Sequence, residues 1–383
     1  MHFLWSNKYT EMKKIIARSL AVAVVILLLM CGSEILLNEL PNSSLIERKN
    51  AFAESSAGQL SNKEGINSWF VPNKTKWSKL KEQYTEQVYA SEDSETFLFY
   101  TDPHIPGSEN WEDRYKNVLS YITWVYDWVP VNFCICGGDF LTNVAPYNEE
   151  ITADEAVFYL QYTDRLNREA FGANYFLAAV GNHDLNYQGT EEISSPMIAE
   201  AMFPDKGKTY YRYEGTTSDI YVLDTGRNWI VNEEGKADYD VPMDEYKWEQ
   251  INWLAEQLEE HDAAHNIIVM HIILNSNDEN DVRFCLYDNA YQLCQAYNRR
   301  KKIILNNIDY DFSNCSGKVE FFLGGHIHRD RVSNDMYSIP FIIRRKLITQ
   351  NKLAFDCVLC DWKNRIVQFT RFGEGKSVTV QLP

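Results

Sequence analysis

The chain is short of positive charge: 37 lysines and arginines stand against 54 aspartates and glutamates, giving a formal net charge of −17 and a pI near 5.0. Such a field repels polyanions, and no basic tract interleaved with aromatics offsets it, so nucleic acid is disfavoured as a partner. No internal repeat is evident. Cysteines are few, eight in 383 residues. Cys357 and Cys360 have Cys-x-x-Cys spacing, but no second pair completes a zinc site, and three steps along a strand-like run put the two thiols on opposite faces. Cys285 and Cys294 lie nine positions apart on an expected helix, roughly 13 Å along its axis, too far to bridge. These thiols read as buried apolar side chains.

What is present begins with an apolar stretch from about Leu20 to Met30, preceded by Lys13 and Lys14 and continuing through Ile35, Leu36 and Leu37. It reads as a signal peptide or a membrane anchor, and Ala51-Phe52-Ala53 fits the small-residue pattern that signal peptidases accept. The expected organisation is a signal or anchor over 1–53, a polar spacer over 54–94 and one folded domain over 95–383. The domain is then extracytoplasmic, secreted or held at the membrane by its N-terminus. With 45% hydrophobic residues the chain supports a sizeable core.

From Glu95 onward, short β-branched and aromatic runs alternate with longer amphipathic stretches, the pattern of an α/β domain. Strands are predicted at Thr96 to Thr101, Val131 to Cys136, Tyr175 to Val180, Ile220 to Leu223, Ile267 to Met270 and Val319 to Leu323. Helices are predicted at Trp111 to Trp128, at Ala153 to Phe171 behind a Thr152/Glu155 capping box, at Asp244 to Glu260 and at Val282 to Arg299. Beyond His328 the chain is β-rich, which suggests a second sheet completing a sandwich. The tryptophans of the helical stretches read as core, and His261 and His265 as solvated residues near a helix end.

The strand ends carry the chemistry. Asp102-Pro103-His104 follows the first strand and Gly137-Gly138-Asp139 the second; Gly181-Asn182-His183-Asp184 follows the third. His271 and then Gly324-Gly325-His326-Ile327-His328 follow two later strands. Carboxyl ends of strands in α/β folds open onto a shared crevice, so these groups should converge. Each motif alone reads equally well as a turn; the ordered set does not.

This series resembles the calcineurin-like metallophosphoesterase superfamily, whose motifs run Asp-x-His, Gly-Asp, Gly-Asn-His-Asp or Glu, a lone His, and Gly-His-x-His. The resemblance implies a four-layer αββα sandwich of two mixed β-sheets flanked by helices. It implies that Asp102, His104 and His328 hold one divalent metal ion, that Asn182, His271 and His326 hold another, and that Asp139 bridges them. A hydroxide between the two ions would then attack phosphate monoesters or diesters. By the same resemblance His183 protonates the leaving oxygen or stabilises charge on phosphate, with Asp184 orienting its ring and favouring its protonated form. Mixed histidine and oxygen ligands suit Mn or Fe first, with Zn possible. Thr142 and Asn143 replace the Asp-Arg that ends the second motif in the protein serine/threonine phosphatase branch, which argues against that branch. Asn186, Tyr187 and Arg329 are neighbours that could meet substrate, and Asp224 could orient a ligand. Competing readings are a non-catalytic metal-binding scaffold of the same fold, and a nuclease, against which the acidity counts.

Overall fold

In the computed structural model, which describes residues 72–105, 110–142, 151–186, 191–226, 230–231, 237–238, 243–273, 285–333, 339–349 and 352–383, the alternating runs become two stacked sheets. The apolar N-terminal stretch and Ala51-Phe52-Ala53 lie outside the described residues, and among those residues no helix is long and apolar enough to cross a membrane.

The order opens with α1 Lys74–Ala90, β1 Ser94–Tyr100, α2 Trp111–Tyr126, β2 Phe133–Cys136, α3 Ala153–Phe171 and β3 Phe176–Ala178. A 3₁₀ turn over His183–Leu185 leads to α4 Ser195–Met202, β4 Tyr211–Glu214, β5 Asp219–Leu223 and the short β6 Ile230–Val231 and β7 Ala237–Asp238. Then come α5 Glu245–His261, β8 His265–Met270, α6 Cys285–Asn298, a ribbon of β9 Lys302–Leu305 with β10 Ile308–Asp311, and β11 Lys318–Gly324. The chain closes through β12 Arg331–Val332, β13 Phe341–Ile343, β14 Ile348–Thr349, β15 Lys352–Asp361, β16 Ile366–Gly373 and β17 Val378–Gln381.

The first sheet has the order β17-β16-β15-β1-β2-β3 with β14 beside β15, and the second β12-β13-β11-β8-β5-β4. β1, β2 and β3 run parallel, as do β5, β8, β11 and β13, so their carboxyl ends share one edge of the sandwich. Strand alternation sets the layers. Ile220 and Val222 of β5, Ile267 and Val269 of β8, and Phe321 and Leu323 of β11 pack into the core shared with the first sheet. Their neighbours Tyr221, Leu223, Ile268, Met270 and Phe322 pack instead with Ile251, Leu254 and Leu258 of α5 and Leu293 of α6. Helices therefore cover both outer faces, and the expected four-layer sandwich is what the chain forms.

The helix boundaries follow local chemistry. α3 starts where Thr152 and Glu155 cap each other's backbone N–H groups, at 3.3 and 2.9 Å, and ends at Gly172 with φ 92°. Asp244 proves to be the cap of α5 rather than its first residue, its carboxylate accepting from Lys247 N–H at 2.9 Å.

Several expectations change. The strands after residue 350 do not build the second sheet: β15 pairs antiparallel with β1, placing β15, β16 and β17 in the first sheet, and only β12 and β13 join the second. Part of the stretch assigned to a spacer forms α1, Lys74–Ala90, which packs into the first core. Trp77, Leu80, Tyr84 and Val88 form a stripe at helical spacing that the polar composition hides. Trp77 packs edge-on against Phe355 and Phe372 at 5.6 and 5.4 Å, and the buried Tyr84 hydroxyl donates to Val358 O at 2.8 Å. Trp128, expected in the core, is 65% exposed. His265 is not a solvated residue: it stacks on Trp362 at 4.4 Å and its Nδ1 lies 2.8 Å from Glu320 Oε1. The six described cysteine thiols, at 134, 136, 294, 315, 357 and 360, are buried and form no disulfide with one another.

Because α1 belongs to the folded unit, Trp77→Ala should lower unfolding stability by about 3–5 kcal/mol, the usual cost of emptying a buried tryptophan site. Urea unfolding measures it; a change under about 1 kcal/mol would show α1 to be an accessory.

Candidate metal centre

The five expected motifs meet at the shared strand edge. Potential ligand atoms of Asp102, His104, Asp139 and His328 form one group, and those of Asp139, His271 and His326 a second, all within 4.8 Å of one another in each group. Asp139 belongs to both. Asn182 joins the second group, its Oδ1 3.0 Å from His326 Nδ1. All seven residues expected as ligands are thus brought together.

The protein ties one polar atom of most of these side chains and leaves the other facing inward. Asp102 Oδ2 accepts from Thr101 Oγ1 at 2.7 Å and from His326 N–H at 3.2 Å, while Oδ1 is buried with no hydrogen-bond partner among the described residues. Asp139 Oδ1 accepts from His183 N–H at 2.9 Å, and its Oδ2 is likewise unsatisfied. The Nδ1 atoms of His104 and His271 sit 2.9 and 2.7 Å from the carbonyls of Leu141 and Gly137. A carbonyl only accepts, so each Nδ1 carries the proton and each Nε2 is turned toward the carboxylates. His271 Nε2 stands 2.9 Å from Asp139 Oδ2, out of hydrogen-bond alignment with it. His104 Nε2 and His328 Nε2 face each other at 2.8 Å, and His328 Nε2 is 3.3 Å from Asp102 Oδ1. Buried carboxylate and imidazole atoms without hydrogen-bond partners, converging at these distances, make a donor set that divalent ions fit.

Backbone strain marks the same place. Asp102, His104, Asp139, His326 and His328 all have positive φ, between 49 and 72°, at roughly 1–3 kcal/mol each. The loops hold one another in these conformations. Asp102 N–H donates to Gly138 O, His104 N–H to Asp139 O and Gly325 N–H to His271 O, at 2.9, 3.1 and 3.0 Å. Glycine is required at two close approaches: a Cβ on Gly181 would fall 2.1 Å from Asp139 Oδ1, and one on Gly325 2.3 Å from Asp102 Oδ2.

Electrostatics within the cluster are strongly perturbed. Burial pushes the carboxyls of Asp102 and Asp139 up, but the neighbouring histidines, His271 first, bring both below the usual carboxylate range. Burial lowers His271, and the charges of Asp139 and Asp102 more than reverse it, to about 9. Burial, followed by the charge on His271, takes His326 down to about 4.

Asp184 departs from its expected role. Its carboxylate does not orient His183 but accepts backbone N–H groups of Asp139, Gly181 and Leu141, at 3.0, 2.8 and 3.1 Å, fastening the second and third motif loops together. Burial and then the charge of Asp139 raise it to about 7. His183 packs edge-on against His104 with centroids 4.8 Å apart, and burial draws it down to about 4, so the neutral rather than the protonated ring is favoured. Asn186 is structural: its amide donates to Ile151 O and Glu191 O. Asp224 accepts from Ser195, Thr209 and Gly226 N–H, a structural junction. Arg329 is exposed, and Tyr187 lies outside the described residues.

Sequence reading missed two supports. Thr101 steadies Asp102, and Thr225 Oγ1 accepts from Ile272 N–H at 3.0 Å, fixing the chain beside His271. Their only signal was a hydroxyl at a strand end.

With His271 charged up to about pH 9 in the ion-free protein, ligation at about pH 8 must expel a proton, whereas at about pH 10 the ring is already neutral. Calorimetric Mn²⁺ titration in buffers of different ionisation enthalpy should show release of at least about one proton per chain at the lower pH, shrinking at the higher. Binding with no proton release at about pH 8 would contradict this placement of His271.

No protein-family model matches the chain, and no curated protein does. Solved structures do. A dimetal phosphatase from Danio rerio aligns with TM-score 0.53 at 12% identity, over 76% of this chain and 99% of that one. GAP50, the anchor in the inner membrane complex of Plasmodium, aligns with TM-score 0.45 at 12% identity, over 76% and 90%. The calcineurin-like phosphoesterase YfkN from Bacillus subtilis aligns with TM-score 0.37 at 10% identity, over 76% and 91%. The chain shares its fold, a four-layer sandwich, with the dimetal phosphatase from Danio rerio.

Proposed function

We propose that the chain is a metal-dependent phosphoesterase hydrolysing small phosphate monoesters or diesters. The observation that carries this is the pair of ligand groups sharing Asp139, with buried unsatisfied atoms aimed between them. Asp102, His104 and His328 would hold one ion, and Asn182, His271 and His326 the other. Two divalent ions there, Mn or Fe before Zn, would grip a phosphoryl group, neutralise its charge and lower the pKa of water.

The chain's own residues complete the chemistry. Asp139 accepts His183 N–H at 2.9 Å, which ties the bridging carboxylate to the loop bearing the non-ligand histidine. His183, neutral at rest, is suited to donate its ring N–H to a phosphate or leaving oxygen, and a dianionic phosphate beside it would raise its proton affinity. Asp184 acts through the loops it fastens and is a positioning residue. The apolar N-terminal stretch supports export or membrane attachment, which would set the reaction outside the cytoplasm. The net charge of −17 favours small esters over polyanionic chains.

Chelation should abolish hydrolysis of p-nitrophenyl phosphate and bis-p-nitrophenyl phosphate, and Mn²⁺ should restore it. Asp139→Asn should lower kcat/KM at least about a hundredfold through lost metal binding. His183→Gln should retain both ions yet lose about 10²–10⁴ in kcat. A folded, ion-loaded wild type inert toward both esters and toward nucleotides would favour the scaffold reading.

A further inference from the structure

We infer that an ionic network behind the Gly324-to-His328 turn, built from Asp330, Asp356, Arg344, Arg345 and Arg371, positions the first ligand group, His328 above all; this rests on the two-ion reading above. His328 is the ligand least held by its own contacts. Its side chain is 40% exposed, its φ is 55°, and among the described residues its Nδ1 has no carbonyl tether of the kind that His104 and His271 possess. Where its ring nitrogen sits is therefore decided by the backbone beneath it.

That backbone is clamped. Arg344 N–H donates to Gly324 O at 3.0 Å, and Leu347 N–H donates to Thr101 O at 2.7 Å, so residues 344–347 are bonded to the strand ends that launch both the last motif and Asp102. The clamp is fastened from behind. Asp356, in β15, accepts four hydrogen bonds of 2.8–3.0 Å from the guanidinium groups of Arg344 and Arg371, and all three side chains are buried. Arg371 reaches on to Asp330 Oδ1 at 3.0 Å, and Arg345 grips Asp330 through Nε at 3.0 Å and backbone N–H at 3.2 Å. Arg344 Nη1 lies 3.4 Å from the same carboxylate. Asp330 is two residues past His328. Three guanidinium groups thus fix the far side of the turn, while Gly324 O fixes its near side. Planar guanidinium forks on carboxylates resist both translation and twist, which point charges do not. The second ligand group takes Asn182 from another loop and has the Gly137 tether on His271, so the network bears on it less.

The test is calorimetric titration of the ion-free full chain with Mn²⁺ alone. Wild type should take up two ions. Asp330→Asn, which keeps the shape and removes the charge, should leave one ion bound with unchanged affinity and weaken the other on the order of tenfold or more. Adding His326→Ala to Asp330→Asn should then weaken the surviving ion, which assigns it to the second group. Glu320→Gln breaks the pair that buried Glu320 makes with half-buried Arg365, far from the ligand loops on the same β11, and serves as the control, lowering thermal stability without changing either affinity. If Asp330→Asn does not fold, Arg345→Ala, at a side chain 26% exposed, tests the same clamp. Unchanged binding of both ions in the variant, or equal weakening of both as stability falls, overturns the inference. A wild type that binds fewer than two ions overturns the dinuclear reading and this inference with it.

Discussion

The site depends on one division of labour: most of its chelating side chains have two polar atoms, and the protein satisfies one of them. Thr101 and His326 N–H occupy Asp102 Oδ2, His183 N–H occupies Asp139 Oδ1, and the carbonyls of Leu141 and Gly137 hold the Nδ1 atoms of His104 and His271. Orientation is settled before anything binds, so little ordering remains to oppose binding. The arrangement costs stability in the protein alone, because the inward atoms are buried and unmatched and five of the ligands lie at positive φ. Backbone bonds between neighbouring loops and the amide nest around Asp184 hold the strained turns in place.

The sandwich determines how that cost is distributed. Asp102, His104, Asp139 and Asn182 leave strands of the first sheet, whereas His271, His326 and His328 leave strands of the second. Each ligand group draws from both sheets: His328 crosses to the first group, and Asp139 crosses to the second. An ion in either place would therefore staple the sheets together, and metal affinity and fold stability would be coupled. The Arg–Asp network works across the same seam, joining β15 and β16 of the first sheet to the turn that follows β11 of the second.

Much of this was legible in the sequence, for a physical reason: strand ends in a parallel sheet are exposed and glycine-rich, so short ordered motifs declare them. The capping box of α3 was equally local, and its helix appears at the expected residues. What escaped was non-local. β15 had no sequence mark to say that it would pair with β1 rather than build another sheet. The stripe of α1 was diluted by lysine and glutamine, so composition outweighed period. The Asp184 carboxylate stood beside His183 in the chain, yet two backbone N–H groups of the second motif loop and one of its own loop claimed it. Asp356 and Arg371 did carry a signal, as charges inside otherwise apolar strands, but only the fold shows that they satisfy each other.

The proposed function stands on Asp139 lying between two ions held across the two sheets. Diffraction from crystals soaked in Mn²⁺, with anomalous data collected near the metal absorption edge, tests it most directly. Two peaks about 3.5–4 Å apart are expected, one beside His328 and one beside His271, with Asp139 between them. A single peak, or peaks remote from Asp139 in crystals with the loops intact, would contradict it.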